Sequence, residues 1–154
     1  MQNDMEQTAG AKLVVFEDDR IRTFGLEART VWRIGRFAPG ISNIPDICLT
    51  SKIVSREHGW IQNIDNQWFF VDNPRNLNGT YHNGVKVPRR KDGIKTPVML
   101  ESGDVLKITD EDRTHADPKG VVMLFTTEAA GEMWTVPTAA AADAECVPSR
   151  LDGV

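Results

Sequence analysis

SREHGWIQNIDNQWFFVDNPRNLNGT, residues Ser55 to Thr80, is the stretch on which the reading of the fold turns. His58, Trp60, Ile61 and Ile64 suit one half-buried strand, and Trp68 to Val71 form a short continuous apolar run that suits a buried one. Asp65 and Asn66 between them are turn formers, so the two runs are expected to pair as an antiparallel hairpin. Ser55 and Arg56 precede the first strand, while Asn76, Asn78, Gly79 and Thr80 follow the second. The hairpin therefore brings both polar clusters to one end of a sheet, and that end is the predicted site.

Working upstream, Trp32-Arg33-Ile34-Gly35-Arg36 reads as a strand entering a glycine-relaxed loop, which puts Arg36 at the same edge. A guanidinium, a hydroxyl, a carboxamide and loop amides gathered there suit a phosphate group, because a planar cation can bond two of its oxygens at once. Gly35-Arg36, Ser55-Arg56-Glu57-His58 and Asn78-Gly79-Thr80, with Asn83-Gly84 close behind, together resemble the forkhead-associated (FHA) domain. The resemblance runs from about Leu13 to Phe125 and rests on the ordered combination rather than on any one piece.

The rest of the chain agrees with a turn-dense all-β protein. Lys12 to Glu17 and Ile21 to Leu26 read as an opening hairpin, followed by strands at Thr30 to Ile34 and Ile47 to Leu49. Beyond the central pair come Thr80 to His82, Val85 to Val87, Val98 to Leu100, Val105 to Thr109 and Val121 to Thr126. With about ten or eleven short strands and no amphipathic helix, a β-sandwich is the economical architecture. The resemblance implies an FHA-like (SMAD/FHA-type) sandwich of about eleven strands, two twisted antiparallel sheets with the ligand loops at one end. Residues 12–127 are the expected domain, 1–11 a flexible N-terminal tail, and 128–154 a mostly flexible extension with an Ala-rich core at Ala139 to Ala142. Met133-Trp134 is the apolar pair expected to tie that extension back.

Composition narrows the function classes. The 154 residues are 40% hydrophobic and 26% charged, ordinary for a globular protein, and hold no apolar run of membrane-spanning length and no signal-peptide pattern, so a cytoplasmic protein without membrane insertion is expected. The net charge of −4 is uneven: residues 29–95 carry 11 basic and 5 acidic side chains, leaving +6, between ends of −3 and −7. A positive middle between acidic ends favours a local anionic ligand over nucleic acid, which needs a broader basic face. Cys48 and Cys146 make no zinc or disulfide framework by spacing, and reduced thiols are expected.

Catalysis finds no support. Ser55, His58 and Asp72 assemble a triad only on paper, with no nucleophile elbow and no oxyanion donor. His58, His82, His115 and Cys48 lack metal-ligand spacing, no Walker loop is present, and neither metal nor cofactor is expected.

The resemblance implies a phosphothreonine-peptide reader that recruits a partner after a Ser/Thr kinase has acted. It assigns phosphate binding to Arg36 and Ser55, with Arg56 adding its amide or charge, and peptide-backbone binding to Asn78. Gly35, His58, Gly79 and Thr80 are then loop-structuring residues. Many family members carry Ser or Thr before the asparagine, where this chain has Leu77; the Leu77 amide or the Asn76 side chain is expected to replace that contact. Lys52 and Ile53 lie where the family sets its preference for residues beyond the phosphothreonine. Two alternatives stay open: a phosphorylation-independent interaction or oligomerisation domain on the same fold, and a self-regulator that binds its own phosphorylated Thr8, Thr135 or Thr138.

Overall fold

The computed structural model describes residues 10–40, 42–88, 95–110 and 120–127. Thr8, the basic loop residues Arg89 to Lys91, His115 and the extension with Met133-Trp134, Thr135, Thr138 and Cys146 lie outside the described residues. Among the described residues eleven strands form two sheets: β1 (Lys12–Glu17), β2 (Arg20–Gly25), β3 (Val31–Arg36), β4 (Ile47–Leu49), β5 (Gly59–Ile64), β6 (Gln67–Asp72), β7 (Tyr81–His82), β8 (Val85–Lys86), β9 (Val98–Met99), β10 (Val105–Ile108) and β11 (Val121–Thr126). One sheet runs β2-β1-β11-β10-β7-β8 and the other β4-β3-β5-β6-β9. A 3-10 turn, Leu26–Ala28, interrupts the β structure. No helix among the described residues is long and apolar enough to cross a membrane.

Side chains at alternate strand positions fill the space between the sheets. Leu13, Val15, Phe24, Leu106, Met123 and Phe125 from one sheet meet Trp32, Ile34, Ile47, Ile61 and Phe70 from the other. Burying each large apolar side chain is worth about 1.5 to 3 kcal/mol, so the two faces hold each other and, with them, the loops that leave the strand ends. Phe24 meets Trp32 edge to face at 6.2 Å between ring centroids, a contact across the two sheets.

The central hairpin forms as read. β5 and β6 pair antiparallel from Gly59 opposite Asp72 to Ile64 opposite Gln67, and Asp65 and Asn66 close the turn at φ 52° and 67°. Both central residues are left-handed, the geometry that matches strand twist in a two-residue hairpin. Asp18 and Asp19 close the opening hairpin in the same way at φ 53° and 61°. His58 falls just before β5 rather than inside it, because its ring is drawn into the loops.

Two findings depart from the expectations. β4 pairs with β3 in parallel, Ile34 opposite Ile47 and Arg36 opposite Leu49, the one parallel pair among the described residues. The loop between them doubles back along β3, held by Asp46, which accepts the Arg33 amide at 2.8 Å and the Arg29 guanidinium at 2.7 Å. Arg33 in turn donates to Asn43 Oδ1 and the Ile44 carbonyl, each at 2.7 Å. Cys48, expected as a reduced thiol, is disulfide-bonded. Spacing along the chain carries no information about which backbones come within the roughly 6 Å that such a bond requires.

Candidate functional site

Three connections meet at one end of the five-stranded sheet: residues 37–46, 50–58 and 73–80. The register forces this. β3 ends there at Arg36, β4 runs parallel to it and ends there at Leu49, and β6 ends there because Asp72 lies opposite Gly59, the first residue of β5. Backbone bonds then stitch the second connection onto β3, with Arg36 N–H donating to the Ser55 carbonyl at 3.0 Å and His58 N–H to the Ile34 carbonyl at 3.0 Å.

Gly35 is required by that close approach. A Cβ there would lie 1.8 Å from the Arg56 carbonyl oxygen, so any side chain would lift the loop off the strand. No left-handed conformation is involved; the constraint is space.

His58 is the post on which the loops hang. It is fully buried. Its Nδ1 accepts the Ser55 backbone N–H at 3.1 Å, which fixes the neutral tautomer with the proton on Nε2. Nε2 then donates toward the Gly79 carbonyl at 3.0 Å and Thr80 Oγ1 at 3.1 Å. The Thr80 hydroxyl passes its own proton to Asp72 Oδ1 at 2.7 Å. The His58 carbonyl accepts the Asn73 amide at 3.0 Å and Asn76 Nδ2 at 2.9 Å. One residue thereby joins β3, the 50–58 loop and the 73–80 loop.

Asn76 is buried beneath the loop. Its Nδ2 also donates to Asp72 Oδ1 at 2.8 Å, and its Oδ1 accepts the Gly79 amide at 2.8 Å, so the carboxamide faces inward. Gly79 adopts φ +76°, a left-handed turn that suits glycine.

Arg36, Ser55 and Asn78 form a compact polar cluster above this platform, the first two half-buried and Asn78 8% exposed. Arg36 is half-buried, and its Nε is steered by a 2.9 Å bond to the Val54 carbonyl, while its two terminal amino groups carry no bond among the described residues. Ser55 Oγ accepts the Leu77 amide at 3.0 Å, which leaves its own proton to donate. Asn78 donates Nδ2 to the Ile53 carbonyl at 2.8 Å, and this holds the carboxamide in place with no bond to its oxygen among the described residues. Arg56 and Lys52 are exposed, Ile53 is half-buried against the core, and Leu77 is 76% exposed with only its backbone drawn in.

This arrangement presents donors to an anion. The residues of the paper triad are used otherwise: His58 reaches Ser55 through the backbone N–H, and the Ser55 hydroxyl bonds Leu77. Beside the cluster, a cleft of about 260 Å³ opens between the 37–46 and 50–58 loops, lined by Arg33, Asn43, Pro45, Arg56, Trp60 and Asn73 among others.

Sequence reading missed Glu17 and gave Asp72 only its place in that triad. Glu17 ends the first expected strand, yet it is 3% exposed and bonded to the 50–58 loop from the other sheet. Only its position at an inward-facing place in β1, next to a run of buried residues, hinted that it had a partner.

The family model described as the FHA domain matches residues 32–109, just over half of the chain and all three loops. Full-length yeast Pml1p superimposes with a TM-score of 0.60 at 23% identity, over 75% of this chain and 80% of that one. The FHA domain of FhaA, solved in complex with the intracellular domain of Rv3910, gives 0.53 at 21% identity, over 75% of this chain and 99% of that one. A structure from work on phosphothreonine-dependent FHA domain interactions gives 0.53 at 21% identity, over 75% and 94%. At these identities the likeness is one of fold. No curated protein matches the chain in sequence.

Proposed function

The chain belongs to the FHA domain family, and from that premise we propose that it binds a phosphothreonine-containing segment of a partner protein, made by a Ser/Thr kinase, without chemistry of its own. The observation that carries the reading is the guanidinium of Arg36, oriented by the Val54 carbonyl beside the Ser55 hydroxyl with its terminal amino groups uncommitted. A phosphate there gains a bidentate charge-assisted contact and one hydroxyl donor, with the exposed Arg56 adding charge. Asn78, held by Ile53, offers a carboxamide oxygen to a peptide N–H. Asn76 serves this site from beneath, and Leu77 contributes its amide to the seating of Ser55.

Calorimetric titration with a phosphothreonine peptide library, its unphosphorylated and phosphoserine counterparts, and the Arg36→Ala variant tests the reading. Binding near micromolar Kd, about −8 kcal/mol, is expected, since few contacts carry the energy. Arg36→Ala is expected to weaken it by about 10- to 100-fold, the loss of a charge-assisted contact of about 1.5 to 3 kcal/mol. Phosphoserine is expected to bind more weakly by the value of one buried methyl group, about 1 to 3 kcal/mol. No binding by folded protein across the library rejects the reading.

A second reading draws on the exposure of Leu77, where an apolar side chain stands beside the polar cluster. It is phosphate-independent protein binding at the same loops, and it predicts a partner interaction that Leu77→Ser abolishes and Arg36→Ala does not.

A further inference from the structure

Glu17 ends β1 in the six-stranded sheet, but its carboxylate works in the other sheet. Oε2 accepts the amides of Thr50 and Ser51, both at 2.8 Å, at the point where the chain leaves β4. Arg22, on the neighbouring β2, donates Nη2 to the Cys48 carbonyl at 2.8 Å and to Glu17 Oε1 at 3.4 Å. A carboxylate this buried is tolerated only with such partners, and two amide donors to one charged oxygen make short, strong bonds.

The consequence runs directly to the site. Ser51 opens a turn closed by Val54 N–H on its carbonyl at 3.1 Å, with Lys52 and Ile53 at the corner. Two carbonyls of that segment do the steering already described: Ile53 holds Asn78 at 2.8 Å and Val54 holds Arg36 at 2.9 Å. One carboxylate thus anchors the turn that aims both of these groups and carries Lys52 and Ile53 at its corner.

We propose that Glu17, braced by Arg22, is a positioning residue that sets which side chains the site prefers next to the phosphothreonine; this rests on the phosphopeptide reading above. Glu17 touches no ligand. Its removal leaves the phosphate requirement in place, because Arg36 and Ser55 remain, and loosens the corner that discriminates between flanking residues.

The test profiles wild type, Glu17→Ala and Glu17→Gln on an oriented phosphothreonine peptide library, with melting temperature and amide hydrogen exchange measured on the same unliganded samples. Met123→Ala, a core truncation in β11 away from the turn, serves as the control for general destabilisation. Glu17→Ala is expected to bind about tenfold more weakly, to lose most of its flanking-residue preference while still rejecting unphosphorylated peptide, and to exchange the Thr50 and Ser51 amides faster. Glu17→Gln, which keeps an acceptor oxygen, is expected to restore part of the preference. Met123→Ala is expected to melt lower with its preference intact.

A folded Glu17→Ala protein with the wild-type preference overturns the proposal, as does a Met123→Ala protein that loses preference equally. Should Glu17→Ala not fold, Glu17→Gln decides by the same two readouts. If wild type binds no phosphopeptide, it is the function reading that fails, and the proposed specificity role falls with it. The exchange data then still report separately on the anchor: unchanged Thr50 and Ser51 protection in the Glu17 variants shows that the carboxylate does not order the turn.

Discussion

Two histidine clusters in this molecule use the same residue types for opposite purposes. Beneath the 50–58 and 73–80 loops, His58 stands with Asp72, Asn76 and the turn Asn78-Gly79; at another pair of turns, His82 stands with Asp104 and the turn Asn83-Gly84. His58 is fully buried and neutral, and its partners are backbone groups and a hydroxyl. His82 and Asp104 keep 24% and 15% of their side-chain surface and meet directly at 2.8 Å. Asn76 points its carboxamide inward at a carbonyl and a carboxylate, whereas Asn83 sits at φ 50° and bridges Asp104 and the Val105 amide near the surface.

The contrast teaches that burial, rather than residue type, decides what such a cluster is for. Buried polar groups cannot exchange their bonds with water, so the bonds of the His58 cluster hold it as a fixed platform. A half-exposed pair exchanges its bonds with water at little cost, so the His82 cluster only trims the stability of two turns.

The sharpest way to break this comparison is to truncate both histidines. His58→Ala is expected to cost about 3 to 4 kcal/mol in urea denaturation, from a cavity and from buried donors and acceptors left unpaired. His82→Ala is expected to cost about 1 kcal/mol or less. Equal losses would show that burial is not the deciding difference. The asparagines give a smaller contrast: Asn76→Ala is expected to cost about 2 kcal/mol and to lower phosphopeptide affinity, since Gly79 loses its acceptor. Asn83→Ala is expected to cost about 1 kcal/mol, mostly through its left-handed backbone, and to leave affinity unchanged.

The smallest expected effect is in acid. Burial pushes the Asp104 carboxyl up, but bonds from His82, the Glu101 amide and Asn83, with the charge of His82, outweigh it and leave the pKa below its ordinary 3.8. A carboxyl depressed in the folded state stabilises the protein above its unfolded value, and that contribution is lost as pH falls through the folded one. Melting temperature followed below about pH 5 is therefore expected to fall less steeply for Asp104→Asn than for wild type, by an amount consistent with at most about 1 kcal/mol. An identical acid limb in the two proteins would remove the charge from the account of this cluster.

Much of this platform was readable along the chain. Asp65-Asn66 marked the central hairpin as a pair of turn formers, and the turn formed with both residues left-handed. Alternation in Trp60 to Ile64 and the apolar run after it set the strands, and their pairing carried Ser55 and Asn78 to one end. Asn76 was legible as a site residue but not as an inward-facing one, since its direction depends on Asp72 and the His58 carbonyl.

Sequence by itself determined the strand-and-turn plan, the family, and the polar residues that gather at one end of the sheet. Those follow from local causes: apolar period, turn chemistry and the order of short motifs. Tertiary structure alone decided that β4 lies parallel to β3, that Arg36 is aimed by Val54, and that a carboxylate from the opposite sheet anchors the turn at Ser51. Each of those joins residues 13 to 34 positions apart, and such partners are selected by how strands and sheets pack, which no local pattern records.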